Sequence, residues 1–253
     1  MDEILREIEN KRAEYETFLN SEQYLQEKRF LDRVINDFLE ASHFCVLNNS
    51  RVFRSTSLLY DQIDLIYESV VILKLIVKEG ALNPIKRELR FILEAVIKYL
   101  YIDTKHSVKE LNDKIKIYGD LVSRSRIDEV DAIRIFAFDE EFNKQFINEV
   151  KRVYSVLCKY VHPSQEQILE YKKRVENGSS IGYESLSDLK SVSNIIFQVL
   201  ELVLVMMLEG LGSSYAGDLC VYFFDEKQNW KFRKRKFLKK LNSFFDYKCE
   251  RQK

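Results

Sequence analysis

The 253 residues carry 40 Lys/Arg against 40 Asp/Glu, 46% hydrophobic residues, and only 7 Gly and 2 Pro. That apolar fraction fills a real core and excludes general disorder, while scarce turn residues among recurring Leu, Ile, Glu and Lys favour long helices over a sheet. Four scattered cysteines without a C-x-x-C pair, and an acidic start in place of a basic-then-apolar leader, predict reduced thiols in a cytoplasmic protein and exclude a disulfide scaffold.

In chain order, helices are predicted over Asp2 to Phe18 and, after Ser21 as N-cap, to Leu47, with Asn48, Asn49 and Ser50 as the break. A third helix runs from Ser57 to Lys78, with Leu59, Ile63, Ile66, Val70, Leu73 and Ile76 on one face and Gly80 beyond its end. Asn83 as cap with Pro84 at the first helical position opens a fourth helix to Ile102. Ser107 with Glu110 reads as a capping box for a helix to Val122, and a helical piece covers Ile127 to Ala137.

Asp139 caps a helix from Glu140 to Val161, which Pro163 stops at His162. Ser164 with Gln167 opens a short helix ending near Gly178, and Ser185 with Asp188 opens a long one through Leu208. The apolar run from Ile195 to Leu208 is broken by Gln198 and Glu201, so a buried helix is expected and no transmembrane segment. Asp218 to Asp225 is ambiguous in period, with helix preferred to strand. From Asn229 onward, Trp230, Phe237, Leu241, Phe244 and Phe245 alternate with cations as in an amphipathic basic helix.

Charge is unevenly spread. Lys227 to Lys253 holds 11 Lys/Arg against 2 Asp/Glu, a tail of +9 on a body of −9. Such asymmetry implies contact with an anion or with the protein's own acidic body. In the first case the cations Lys231, Arg233, Lys234, Arg235 and Lys236 would neutralise phosphates while Trp230 stacks on an unpaired base; in the second, the aromatic face docks on the body. The same pattern also suits a membrane surface, without a lipidation signal to support it.

No phosphate-binding glycine loop, H-E-x-x-H, Cys/His zinc spacing or glycine-flanked serine is present, and three histidines do not make a multi-histidine metal site. No cofactor or metal is expected. On the fourth helix Arg87, Arg90, Glu94, Lys98 and Tyr101 fall on one polar strip opposite Leu89, Leu93, Val96 and Leu100. The strip is either a solvated ladder of ion pairs, about 0.3 to 0.5 kcal/mol each, or part of a site. Arg152, Ser155, Lys159 and His162 share an arc of a later helix. Neighbouring cations lower the pKa of a histidine there and the helix C-terminus raises it, leaving both directions open.

The stretch from Asp64 to Asp103, containing IYESVVILKLIVKEGALNPIKRELRFILEAVIKYLYID, followed by YSVLCKYVHPS from Tyr154 to Ser164, resembles an uncharacterised prokaryotic branch of the HEPN superfamily. The shared pattern is an apolar helix ending at Gly, an R-x-x-x-E-A helix, and a tyrosine-led helix ending in V-H-P. The resemblance implies an all-α bundle over residues 55–211; the residues outside it read as an N-terminal helical extension at 1–50 and a basic amphipathic C-terminal segment at 212–253. It implies a homodimer and a metal-independent ribonuclease of a defence or toxin system, with RNA as target and an antitoxin or other protein partner. The usual HEPN signature is Arg, then four to six residues, then His; before His162 the positions for that Arg hold Ser155, Val156 and Leu157. Arg90 and Glu94 would then join His162 from the neighbouring helix, with Arg87, Arg152 and Lys159 contacting phosphates. The alternative is an inactive bundle that binds nucleic acid or a protein.

Overall fold

The computed structural model describes residues 2–47, 55–122, 126–160, 164–176, 185–248 and 251. The protein is all-α, and no strand forms among the described residues. The helices are α1 (Asp2–Leu19), α2 (Glu22–Leu47), α3 (Leu58–Asp61), α4 (Ile63–Lys78), α5 (Leu82–Lys105), α6 (Leu111–Val122), α7 (Glu140–Cys158), α8 (Gln165–Glu176), α9 (Leu186–Leu211), α10 (Ser213–Val221) and α11 (Lys236–Ser243). Shorter turns cover Asp128–Ala132, Tyr222–Glu226 and Lys231–Lys234.

Helix α9 is the axis. From Val199 to Leu208 every residue is buried, so this helix is apolar on all sides because all sides are covered. Helices α2 and α5 flank it, α4 closes the gap between them, and α10 and α11 lie over its outer surface. By length and composition alone the 26-residue α9 could cross a membrane, and 72% of its most apolar stretch is buried in the bundle. Leu31, Val34, Ile35 and Phe38 of α2 are wholly buried, so the second N-terminal helix is a core element and not the extension that the sequence suggested.

Local signals explain most helix ends. Asp139 Oδ1 accepts from the Phe142 amide at 2.8 Å, and Ser185 Oγ accepts from the Asp188 amide at 3.2 Å while donating to its carboxylate at 2.8 Å. Gly80 follows α4 at φ 68°, where a side chain would be strained. The amides of Gly80 and Ala81 bond the Val77 and Ile76 carbonyls at 3.2 and 3.1 Å, a Schellman closure.

Four boundaries differ from the sequence reading. The Ser57–Lys78 helix breaks at Gln62, because Asp103 takes the amides of Leu58 and Leu59 at 2.8 and 2.9 Å and the Ser57 hydroxyl at 2.6 Å, giving α3 its own start. Asn83 is not a cap: α5 begins at Leu82 after Ala81, which puts Pro84 in the first turn, where its missing N–H still costs nothing. The Ser107–Glu110 box does not form, and Glu110 instead precedes α6 and accepts from Asp113 and Lys114 through its carbonyl. Only Asp128–Ala132 of the segment before α7 is helical, as a 3-10 turn.

The tail departs most. It forms no single amphipathic helix: a 3-10 turn, an extended Arg235 and the eight-residue α11 follow one another. The cause is its aromatic spacing. Trp230 packs on Phe223 and Phe224 at 4.9 and 5.2 Å, Phe232 on Phe197 at 5.0 Å, and Phe237 on Phe146 at 5.2 Å. A continuous helix would point Trp230 and Phe232 about 200° apart, so the chain gives up regularity to bury both.

Candidate functional site

Two charged regions were legible in the sequence, the α5 strip and the tail. On α5, turns of 3.6 residues align Arg87, Arg90, Glu94 and Lys98, and α7 packs against that face. The Arg90 guanidinium meets the Glu94 carboxylate at 3.0 Å, and Lys98 Nζ reaches its other oxygen at 2.6 Å. From α7, Tyr154 donates its hydroxyl to Glu94 at 2.9 Å and accepts from Arg90 at 2.8 Å. Lys98 also donates to the Leu121 carbonyl of α6 at 3.4 Å.

The side chains of Arg90 and Glu94 are 16% exposed and that of Lys98 1%, so the strip is a buried network and not a solvated ladder. Burial opposes the Arg90 charge, but the Cys158 side chain and the Glu94 carboxylate outweigh it and raise the guanidinium pKa. Burial, and then the Glu94 charge, push the Tyr154 phenol well up, so it remains a neutral donor. Arg90 Nε is buried without a hydrogen-bond partner among the described residues, and the Cys158 side chain lies against the same guanidinium. Glu94, with both oxygens occupied, orients its neighbours and is not free to act as a base.

Arg87 extends this seam to the end of α7. Its Nε donates to the Tyr160 carbonyl at 2.8 Å, which also accepts from Gln167 of α8 at 2.7 Å. Lys86 lies 3.5 Å over the Tyr160 ring, and the Tyr160 hydroxyl donates to Glu170 at 2.8 Å. Thus three helices converge on the residue two positions before His162. His162 itself lies outside the described residues. Lys159 is exposed at the end of α7, and Arg152, one face away, binds Glu149 at 2.9 Å and Gln198 at 3.0 Å.

In the tail, five cations are paired with acids of the body. Lys227 pairs with Glu40, Arg235 with Glu201 at 2.7 Å, Lys240 with Asp139 at 3.7 Å, Lys248 with Asp218, and Arg251 with Asp225 at 2.7 Å. The Lys231 amide donates to Asp37 at 2.7 Å. Trp230 is 5% exposed and offers no face on which a base could stack, so its expected role is corrected to anchoring. Arg233 and Lys234 make no ion pair among the described residues; Lys236 donates to Gln145 at 2.9 Å and acts on the Glu149 carboxylate at longer range.

Sequence reasoning missed two residues. Tyr154 stood at the head of the V-H-P segment, but nothing in its spacing announces that it would bridge Arg90 and Glu94. Glu201, 2% exposed, looked like a polar interruption of α9; it receives the amides of Phe237 (2.8 Å) and Leu238 and so caps α11 across the interface. A lone acid within an apolar run is the signal that could have found it.

Matched against models of known families, curated proteins and solved structures, the chain matches none of them. Among the described residues, no group of three or more His, Cys, Asp or Glu side chains could hold a metal ion. The geometry therefore has to speak for itself: a buried cation, held by a carboxylate and a phenol, beside the anchored end of α7.

Proposed function

We propose that this protein is a HEPN-like, RNA-acting protein of a defence or toxin system that works in the cytoplasm as a homodimer, with the α5–α7 seam as its phosphate site. The observation that carries the reading is the assembly of Arg90, Glu94 and Tyr154 across the two helices that hold the resembling segments. In this reading the positive charge of Arg90, fixed by Glu94 and Tyr154, draws the phosphate to the seam, and His162 takes the proton of the attacking ribose hydroxyl as the bond from phosphorus to the leaving 5′ oxygen breaks. The Arg87 and Gln167 bonds to Tyr160 tether the chain that leads to His162.

A second reading, a non-catalytic module that binds nucleic acid or a protein partner, is favoured by the missing Arg at 155–157 and by how fully Glu94 is engaged. The test is labelled RNA with EDTA present, comparing the native chain with His162→Ala and Arg90→Lys, whose melting temperatures are measured in parallel. Cleavage that survives chelation and falls at least about a hundredfold in both stably folded variants supports the nuclease. Cleavage indifferent to both removes the seam from the chemistry, and binding without cleavage supports the module.

A further inference from the structure

A cleft of about 410 Å³ opens where the tail crosses α7 and α9, lined by Gln145, Glu149, Glu201, Lys234, Arg235, Lys236 and Phe237. Its volume falls within the range of small-ligand sites, roughly 300 to 1,000 Å³. It is separate from the α5–α7 seam: Gln145, Glu149 and Arg152 follow one another at offsets of four and three on α7, a different face from Tyr154.

The charge balance of this cleft differs from that of the rest of the tail. Both of its carboxylates are neutralised by arginine, Glu201 by Arg235 at 2.7 Å and Glu149 by Arg152 at 2.9 Å, and Glu149 also accepts from Gln198. Two further cations leave the cleft with a net positive charge of two. Lys234 makes no ion pair among the described residues, and Lys236 donates to the Gln145 amide and acts on Glu149 at longer range, its ammonium 5.4 and 5.1 Å from the Phe142 and Phe237 rings. Both lysines face a space large enough for a ligand.

We propose that this cleft binds a phosphate monoester, whose dianion matches the cleft's net charge of two, presented by the Lys234 and Lys236 ammonium groups. Lysine ammoniums act on phosphate as point charges, and the arginines already held by carboxylates keep the acids from repelling it. The ester's organic part lies toward Gln145 and the buried edge of Phe237. Two sources carry this chemistry, a free mononucleotide and the terminal phosphate of a nucleic-acid strand. The inference does not rest on RNA cleavage at the seam.

Titration calorimetry at low salt separates the sources. The probes are adenosine monophosphate and a twelve-residue RNA with or without a 5′-phosphate; the proteins are the native chain, Lys234→Ala/Lys236→Ala and the exposed-lysine control Lys239→Ala. Saturable binding of the mononucleotide, weakened about a hundredfold by the double variant and unchanged in the control, assigns the cleft to a free ligand. Preference for the phosphorylated RNA over its hydroxyl counterpart, with the same dependence on Lys234 and Lys236, assigns it to a strand end. Absence of binding to all three probes, or an equal loss in the control, overturns the proposal. Either result leaves the His162 cleavage test independent, because that test reads chemistry and this one reads affinity.

Discussion

The α5–α7 seam and the C-terminal tail both concentrate charge, and they satisfy it in opposite ways. In the seam, one carboxylate, Glu94, serves two cations and a phenol. In the tail, five cations have an acid of their own on the body, while Trp230, Phe232, Phe237 and Phe245 between them are core residues. Density of charge is thus a poor guide to where a ligand binds; unmet hydrogen-bonding or charge capacity is a better one.

The comparison breaks most visibly on removal of the tail. Deleting Lys227 to Lys253 strips Trp230, Phe232, Phe237, Leu238, Leu241 and Phe245 from the core, so the truncated chain should lose cooperative unfolding altogether. A milder version, Phe237→Ala, is expected to cost about 3 to 5 kcal/mol in urea denaturation. A tail that was only a nucleic-acid arm would show neither effect.

In the seam, Glu94→Ala leaves Lys98, with its side chain 1% exposed, without its counter-charge, and should cost about 3 kcal/mol. Lys98→Met in the same background should recover part of that loss, because it removes the stranded charge. A loss below about 0.5 kcal/mol would restore the solvated ladder.

Glu209 gives an intermediate effect through pH. Burial pushes its carboxyl up to about 7, against the single opposing amide bond from Phe136 at 2.6 Å. The folded state therefore holds the proton more tightly than the unfolded chain, whose carboxyl titrates near the ordinary 4.5. The resulting stability is fully present below about pH 4.5 and is lost as pH rises through about 7. Glu209→Gln, which can still accept from Phe136, should flatten that part of the profile and be about 2 kcal/mol more stable than the native chain at pH 8. Burial raises Glu201 as well, so the variant is needed to separate the two slopes.

Much of the helical layout was legible because caps and breakers act locally. Asp139, Ser185 and Gly80 perform as their types predict, each decided within four residues of sequence. What was not legible depends on partners far along the chain. Asp103 splits α3 from α4 across 45 residues, and Glu201 caps α11 across 36, distances at which periodicity carries no information. The strip of Arg90, Glu94 and Lys98 could be read from spacing, but its burial could not, because that depends on α7 laying Tyr154 over it.

The smallest expected effect belongs to Arg152→Ala. Its pair with Glu149 is more than half exposed on the arginine side, so urea denaturation should change by less than about 0.5 kcal/mol. This change also leaves Glu149 uncompensated beside the cleft and should weaken phosphate binding there severalfold, whereas stability and seam chemistry stay as they are.

The central claim, that the tail is docked on the body as part of the core, is tested most directly by amide hydrogen exchange at Phe237 and Leu238. The account predicts protection approaching that of Val203 and Leu204 in α9, little changed between low and half-molar salt, because Glu201 holds both amides in a site 2% exposed. Rapid exchange of α11 at either salt concentration, while α9 stays protected, would contradict it and return the tail to the role of a free basic arm.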